Sequence, residues 1–176
     1  MEFTPAINLI LGILTIVSQI TIALLIVLLI FKKDKLDSLL KKYALPLSFA
    51  IVLAATAGSL FYSEIAGYEP CKLCWLQRIF IYPQTILLGI AIWKKDYEIA
   101  LYSLALSVIG AIIAGYHYLL QIGIAPELPC SAVGYSVSCS QRFVMQFGYI
   151  TIPMMAFSAF VLIALLMALK IKRVND

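Results

Sequence analysis

The chain has 176 residues, 63% of them hydrophobic and only 12% charged, with a formal net charge of +4, one histidine and four cysteines. A soluble domain carries about 25% charged residues, so this chain cannot cover its own surface with polar groups and its solvent is lipid. The length fits one compact domain, and the placement of the basic excess, given below, excludes a nucleic-acid patch.

Apolar runs of about 20 residues, the length that crosses about 30 Å of hydrocarbon, recur along the sequence. The first runs from Ala6 to Phe31 and the second from about Tyr43 to Ser63. The third lies near Trp75 to Trp93, with Arg78 in its first turns. The fourth runs from Ile99 to about Gly123, broken only by His117, and the fifth from about Gly148 to Leu169. No period-two pattern competes with them, and a backbone in lipid must bond to itself, so the fold class is all-α with five membrane spans. Pro83 and Pro153 fall within spans and are expected to kink their helices. The first span reads as a retained helix rather than a cleaved signal. Glu2 and no Lys or Arg precede it, its apolar run is long, and no small-x-small cleavage site follows.

The basic residues orient the spans. Lys32, Lys33, Lys35, Lys41 and Lys42 lie between spans one and two, Lys94 and Lys95 between three and four, and Lys170, Lys172 and Arg173 after five. In a five-span chain all ten share one side, while the other holds only Lys72, Arg78 and Arg142. The positive-inside rule puts the ten in the cytoplasm, and the N-terminus and all four cysteines outside, where disulfides persist.

The first cysteine pair reads Glu69-Pro70-Cys71-Lys72-Leu73-Cys74-Trp75-Leu76-Gln77-Arg78. Cys-x-x-Cys permits a small disulfide loop and is the usual redox spacing. It opens span three, so a thiolate at Cys74 meets the positive end of a helix, with the Arg78 guanidinium one turn on along the same face. Arg78 alone would also read as a side chain reaching back to the head groups, and the cysteines as a structural bridge or half of a zinc site. Zinc favours four ligands, often as two Cys-x-x-Cys knuckles, whereas eight residues separate Cys130 from Cys139.

That second pair lies between spans four and five, in a segment rich in Ser and small residues that suits an exposed, readily exchanged disulfide as well as a static bridge. His117 lies near the outer end of span four, with Gln121 one turn further on. A lone intramembrane histidine can bond a neighbouring carbonyl. It can also act as hydrogen-bond or proton partner of a bound quinone, with Gln121, Gln77 and Tyr116 beside it. Trp75 and Trp93 read as interface anchors.

Together, Cys71-Lys-Leu-Cys74-Trp-Leu-Gln-Arg78, His117 thirteen residues before Cys130, and Cys130 with Cys139 resemble the DsbB/BdbC family of membrane thiol-quinone oxidoreductases. The resemblance covers about Tyr43 to the C-terminus. It implies a four-helix quinone-binding bundle over residues 43–176, preceded by an extra transmembrane helix and basic loop over residues 1–42. It implies a multi-pass protein of the cytoplasmic membrane that reoxidises an extracytoplasmic thioredoxin-fold partner of the DsbA or BdbD type and reduces ubiquinone or menaquinone. Cys71, Cys74, Cys130 and Cys139 would be catalytic, and Arg78, His117, Gln77 and Gln121 would bind the quinone. A partner thiolate would attack Cys130, Cys139 would attack Cys71, and Cys74 would leave as a thiolate. The first span departs from the four-helix pattern, and the short Cys130–Cys139 interval looks like the Gram-positive branch. Other readings are a vitamin-K-epoxide-reductase-like enzyme, whose cysteine pairs come in the opposite order, and a membrane scaffold with structural disulfides.

Overall fold

The computed structural model describes residues 3–31, 34–126 and 138–171, apart from the side chains of residues 29, 31 and 34–41. The described residues form five α-helices: α1 (Thr4–Phe31), α2 (Asp34–Leu60), α3 (Lys72–Lys94), α4 (Ile99–Gln121) and α5 (Ile152–Ile171). Each is long and apolar enough to cross a membrane. Beyond them the described residues hold a π-helical turn, Phe61–Ile65, and an isolated bridge between Gln146 and Ile150, so the all-α, five-span expectation holds.

The helix ends differ from the apolar runs in ways that matter for the site. α2 begins at Asp34, well before Tyr43, because its charged first turns form helix without being lipid-soluble; its apolar window starts at Lys42. At its other end α2 widens into a π-helical turn, Phe61–Ile65, in which Ala66 N–H donates to Phe61 O, five residues back, at 2.9 Å. Just before it, the Ser59 carbonyl accepts Arg78 Nη2 from α3 at 3.1 Å and lies 3.3 Å from Ser63 Oγ. A carbonyl drawn off by side chains is the kind of insertion that distorts a helical ladder.

α3 begins at Lys72, with Cys71 as its extended N-cap residue, so Cys74 stands inside the first turn rather than ahead of it. α5 begins at Ile152, not Gly148. Phe147 (φ 52°) and Gly148 (φ 80°) turn the chain, and Gln146 and Ile150 exchange backbone hydrogen bonds of 2.8 and 2.9 Å. Pro153 therefore falls in the first turn of α5, where no helical partner needs its missing N–H, rather than mid-span.

Helices α2, α3, α4 and α5 close a ring in which α2 and α4 each pack against both α3 and α5, and α1 lies outside it against α5. Lipid offers no hydrophobic drive between helices, so close approach and polar links must hold them. α4 supplies a buried stripe at alternating three- and four-residue spacing: Ala100, Ser103, Ser107, Gly110, Ala114, His117 and Gln121. At Gly110 the Phe160 ring of α5 comes so close that an added Cβ would sit 2.4 Å from it. Gln84 of α3, fully buried, accepts Ser103 Oγ at 2.7 Å and Ser107 Oγ at 3.2 Å. Thr56 of α2 and Thr85 of α3 lie 3.0 Å apart, oxygen to oxygen. The Leu, Ile and Met side chains of α5 fill the centre.

Candidate functional site

The site occupies the end of the bundle where α3 begins and α4 ends. Extended backbone at Cys71 turns the chain into α3, and the first turn brings Cys74 back beneath it. Cys71 Sγ lies 3.2 Å from Cys74 Sγ and acts as the donor. Donating to Cys74, with burial, pushes the Cys71 thiol up to about 12, and His117 offsets part of this.

His117, on the buried stripe of α4, faces this pair. Gln77 Nε2 donates to its Nδ1 at 2.9 Å, which puts the ring proton on Nε2. That Nε2 lies 3.0 Å from the Cys139 carbonyl and 3.7 Å from Cys71 Sγ. One imidazole thus links the first cysteine pair to the chain of the second. Cys139 is itself buried and packs with Cys71, Leu73 and Leu120. Gln121 donates through Nε2 to Gln141 O at 2.9 Å. Arg142 Nε donates to Gln121 O at 2.8 Å, and Nη2 also reaches that oxygen. These bonds fasten the segment after Cys139 to the C-terminal end of α4, where a cation is favoured. Cys130 lies outside the described residues. Among the described residues, the ligand atoms of Cys71, Cys74 and His117 lie within 4.8 Å of one another, a set of three where structural zinc prefers four.

Arg78 lies one turn below Cys74 and is 9% exposed. Its Nε donates to Ser59 Oγ and its Nη2 to Ser59 O, both at 3.1 Å, and Tyr82 also donates to Ser59 Oγ, at 3.0 Å. The guanidinium lies 5.1 Å from the Trp75 ring centroid. Among the described residues it has no carboxylate partner. A buried cation fixed by a neutral serine is poised to receive an anion from the open side.

Two cavities meet at Cys74. The larger, about 450 Å³, lies between α1, α2, α3 and α5 and is lined by Cys74, Gln77, Arg78, Ser59 and many apolar side chains. Tyr62, Tyr68 and Phe143 also border it; Tyr68 stacks on both others, at 5.8 and 4.9 Å between ring centroids. The smaller, about 20 Å³, is lined by Cys71, Cys74, His117 and Gln121. Of the four residues expected at a quinone, Arg78 and Gln77 line the large cavity, while His117 and Gln121 line the small one. Tyr116 instead donates to Pro126 O at 3.1 Å. Sequence reasoning missed Ser59 and Tyr62. A hydroxyl at the end of the small-residue run Ala54–Ser59 was the available signal, but nothing local ties it to Arg78, nineteen residues on.

Known proteins resemble this chain over most of its length. The family profile described as "Disulfide bond formation protein DsbB" matches residues 41–170. The "Probable disulfide formation protein C 1" of Bacillus anthracis is 46% identical over 132 residues, covering 75% of this chain and 94% of that one. The "Disulfide bond formation protein C" of Bacillus subtilis (strain 168) is 43% identical over 124 residues, covering 69% and 88%. The "Probable disulfide formation protein" of Metapseudomonas resinovorans is 41% identical over 123 residues, covering 69% and 84%. No solved structure matches the chain. With its cysteine pair opening a transmembrane helix and a profile match over most of its length, this multi-pass membrane protein belongs to the DsbB family of disulfide bond formation proteins.

Proposed function

We propose that the chain is a protein dithiol:quinone oxidoreductase that draws electrons from an extracytoplasmic thioredoxin-fold partner of the DsbA or BdbD type and delivers them to ubiquinone or menaquinone. The observation that carries this is the position of Cys74. It is the cysteine, among those described, that borders both the small cavity holding Cys71 and His117 and the large cavity holding Arg78.

The large cavity fits a quinone. Its volume falls in the range of about 300–1,000 Å³ usual for small-molecule sites, and such sites are mostly apolar with few polar groups. Two hydroxyls that border it, Ser18 and Tyr62, are buried without a hydrogen-bond partner. A bound quinone supplies an acceptor for two electrons and two protons.

The protein's own part is thiol–disulfide exchange. A partner thiolate attacks Cys130 of a Cys130–Cys139 disulfide, joining Cys130 to the partner and releasing Cys139 as a thiolate. Cys139 attacks Cys71 of the Cys71–Cys74 disulfide, joining Cys139 to Cys71 and expelling Cys74 as a thiolate. The expelled charge forms in the first turn of α3 with Arg78 one turn below it, and a better-stabilised leaving thiolate leaves faster. His117 fits the exchange better than the acceptor: its Nε2–H stands between the Cys139 carbonyl and Cys71 Sγ and holds attacker and target in register. The second partner thiol then attacks the partner–Cys130 bond, completing the partner's disulfide and expelling Cys130 as a thiolate; Cys130 attacks Cys139 of the Cys139–Cys71 bond, restoring Cys130–Cys139 and leaving Cys71 and Cys74 as the reduced pair whose two electrons a bound quinone would accept.

Purified chain, mixed with a reduced thioredoxin-fold partner and a soluble quinone, should form quinol only when the partner is present, read as loss of quinone absorbance. Cys74→Ser and Cys130→Ser should each reduce the rate to background. Turnover equal to the parent's in both variants would end the assignment.

A further inference from the structure

The family profile begins at residue 41, so α1 lies wholly outside the part of the chain that carries the family's likeness. Yet α1 is docked rather than loose. Gln19 donates to Ser158 of α5 at 3.2 Å and accepts from Tyr149 at 2.8 Å. The Gly12 backbone lies against the Phe147 ring, and Leu11 against Gly58 of α2. The face so presented, Leu11, Leu14, Thr15 and Ser18, follows one helical stripe and forms a wall of the large cavity.

One residue on that stripe stands out. A hydroxyl in a helix usually bonds back to its own backbone. Thr15 does so to Leu11 O at 2.7 Å, and Thr21 to Val17 O at 2.8 Å. Ser18 does not, and its buried Oγ has no partner. Tyr62, 5% exposed, borders the same cavity with an equally unpartnered hydroxyl. Leaving a hydroxyl unpaired away from water is costly. Depth agrees as well. Ser18 neighbours Gln19, which bonds Ser158, and Ser158 and Arg78 each lie six residues into their helices, roughly 9 Å from the end.

We propose that α1 is part of the quinone site. It closes the groove between α2 and α5, and Ser18 and Tyr62 donate hydrogen bonds to oxygens of the quinone held beside Cys74 and Arg78. This rests on the reading of the large cavity as the quinone site.

Three measurements on the full-length protein in detergent test it: equilibrium binding of decylubiquinone and of menadione, crosslinking by a photoreactive azidoquinone, and formation of the Cys130 mixed disulfide with a reduced partner. The crosslink should map to the segment before Lys32 and be competed by decylubiquinone. Ser18→Ala should weaken binding about fivefold, the scale of one hydrogen bond. Ser18→Leu, which also fills space, should weaken it at least tenfold, while Ile20→Ala on the exposed face of α1 should bind like the parent. Mixed-disulfide formation should stay at the parent's level in all three.

If Ser18→Ala and Ser18→Leu both bind at parental affinity while Arg78→Ala does not, α1 has no part in the site, and the proposed function stands without it. A crosslink in α1 that decylubiquinone does not compete would mean that this wall meets lipid, which also overturns the proposal. A parent chain that binds neither quinone sinks the function and this inference together.

Discussion

At the scale of single residues the site is governed by one cation in a low-dielectric setting. An unpaired charge within a bilayer is expensive, and such residues generally face a bundle interior and find partners there. Arg78 has two bonds to one serine of α2 and an aromatic ring beside it, and no carboxylate among the described residues. Neutral partners hold the guanidinium in place without cancelling its charge, which remains available to a thiolate or a ligand oxygen. Ser59→Ala removes the Oγ contact and leaves the carbonyl. Bonds to a charged group are worth about 1.5–3 kcal/mol. We therefore expect a rise of about tenfold in the KM for quinone, with the rate of mixed-disulfide formation unchanged. Steady-state kinetics varying quinone at saturating partner would measure it, and an unchanged KM would mean that the carbonyl alone positions Arg78.

At the scale of the helices, the α4–α5 contact is where one atom decides most. Phe160 is 1% exposed, so its ring has no room to withdraw, and it occupies the space a side chain at position 110 would need. Gly110→Ala should destabilise the protein by about 1–3 kcal/mol, the usual cost of overpacking, read as a lower denaturation midpoint in detergent. A midpoint equal to the parent's would show that the two helices separate more readily than their close contact suggests. The same stripe shows what the sequence made legible. Hydropathy found all five spans because length and apolarity alone decide which segments dissolve in lipid. The three- and four-residue spacing from Ala100 to Gln121 was also open to reading, and it carries His117 and Gln121 on the inward face. Helix ends were less legible, because hydropathy marks where lipid begins rather than where helical hydrogen bonds do: α2 starts at Asp34 and α5 at Ile152. Cys71, Cys74 and Arg78 could be grouped from spacing, since one helical turn relates them. The division of Gln77 and Arg78 from His117 and Gln121 between two cavities could not, because it depends on how α1, α2 and α5 stack around α3.

At the scale of the whole molecule, two charge distributions must agree for the relay to work. Among the described residues, Lys94 and Lys95 lie at the end of α3 away from the cysteines, and Lys170 Nζ lies 4.1 Å from the Tyr97 ring centroid, at the turn between α3 and α4. The sulfur site lies at the opposite end, where α3 starts and α4 finishes, as antiparallel neighbours require. By the positive-inside rule the Tyr97 end is expected in the cytoplasm and the cysteine end outside, which is the side the proposed thioredoxin-fold partner needs. Two exposed positions report on the two ends: Asp96 between α3 and α4, and Gln141 just past Cys139. In intact cells a membrane-impermeant maleimide should label Gln141→Cys and leave Asp96→Cys unmodified until the membrane is permeabilised, with the native cysteines distinguished by peptide mass. Labelling of Asp96→Cys alone would place both sulfur pairs in the cytosol, where thiol-reducing systems keep disulfides from persisting. An oxidising relay that faces outward would then have to be abandoned, whatever the geometry around Cys74.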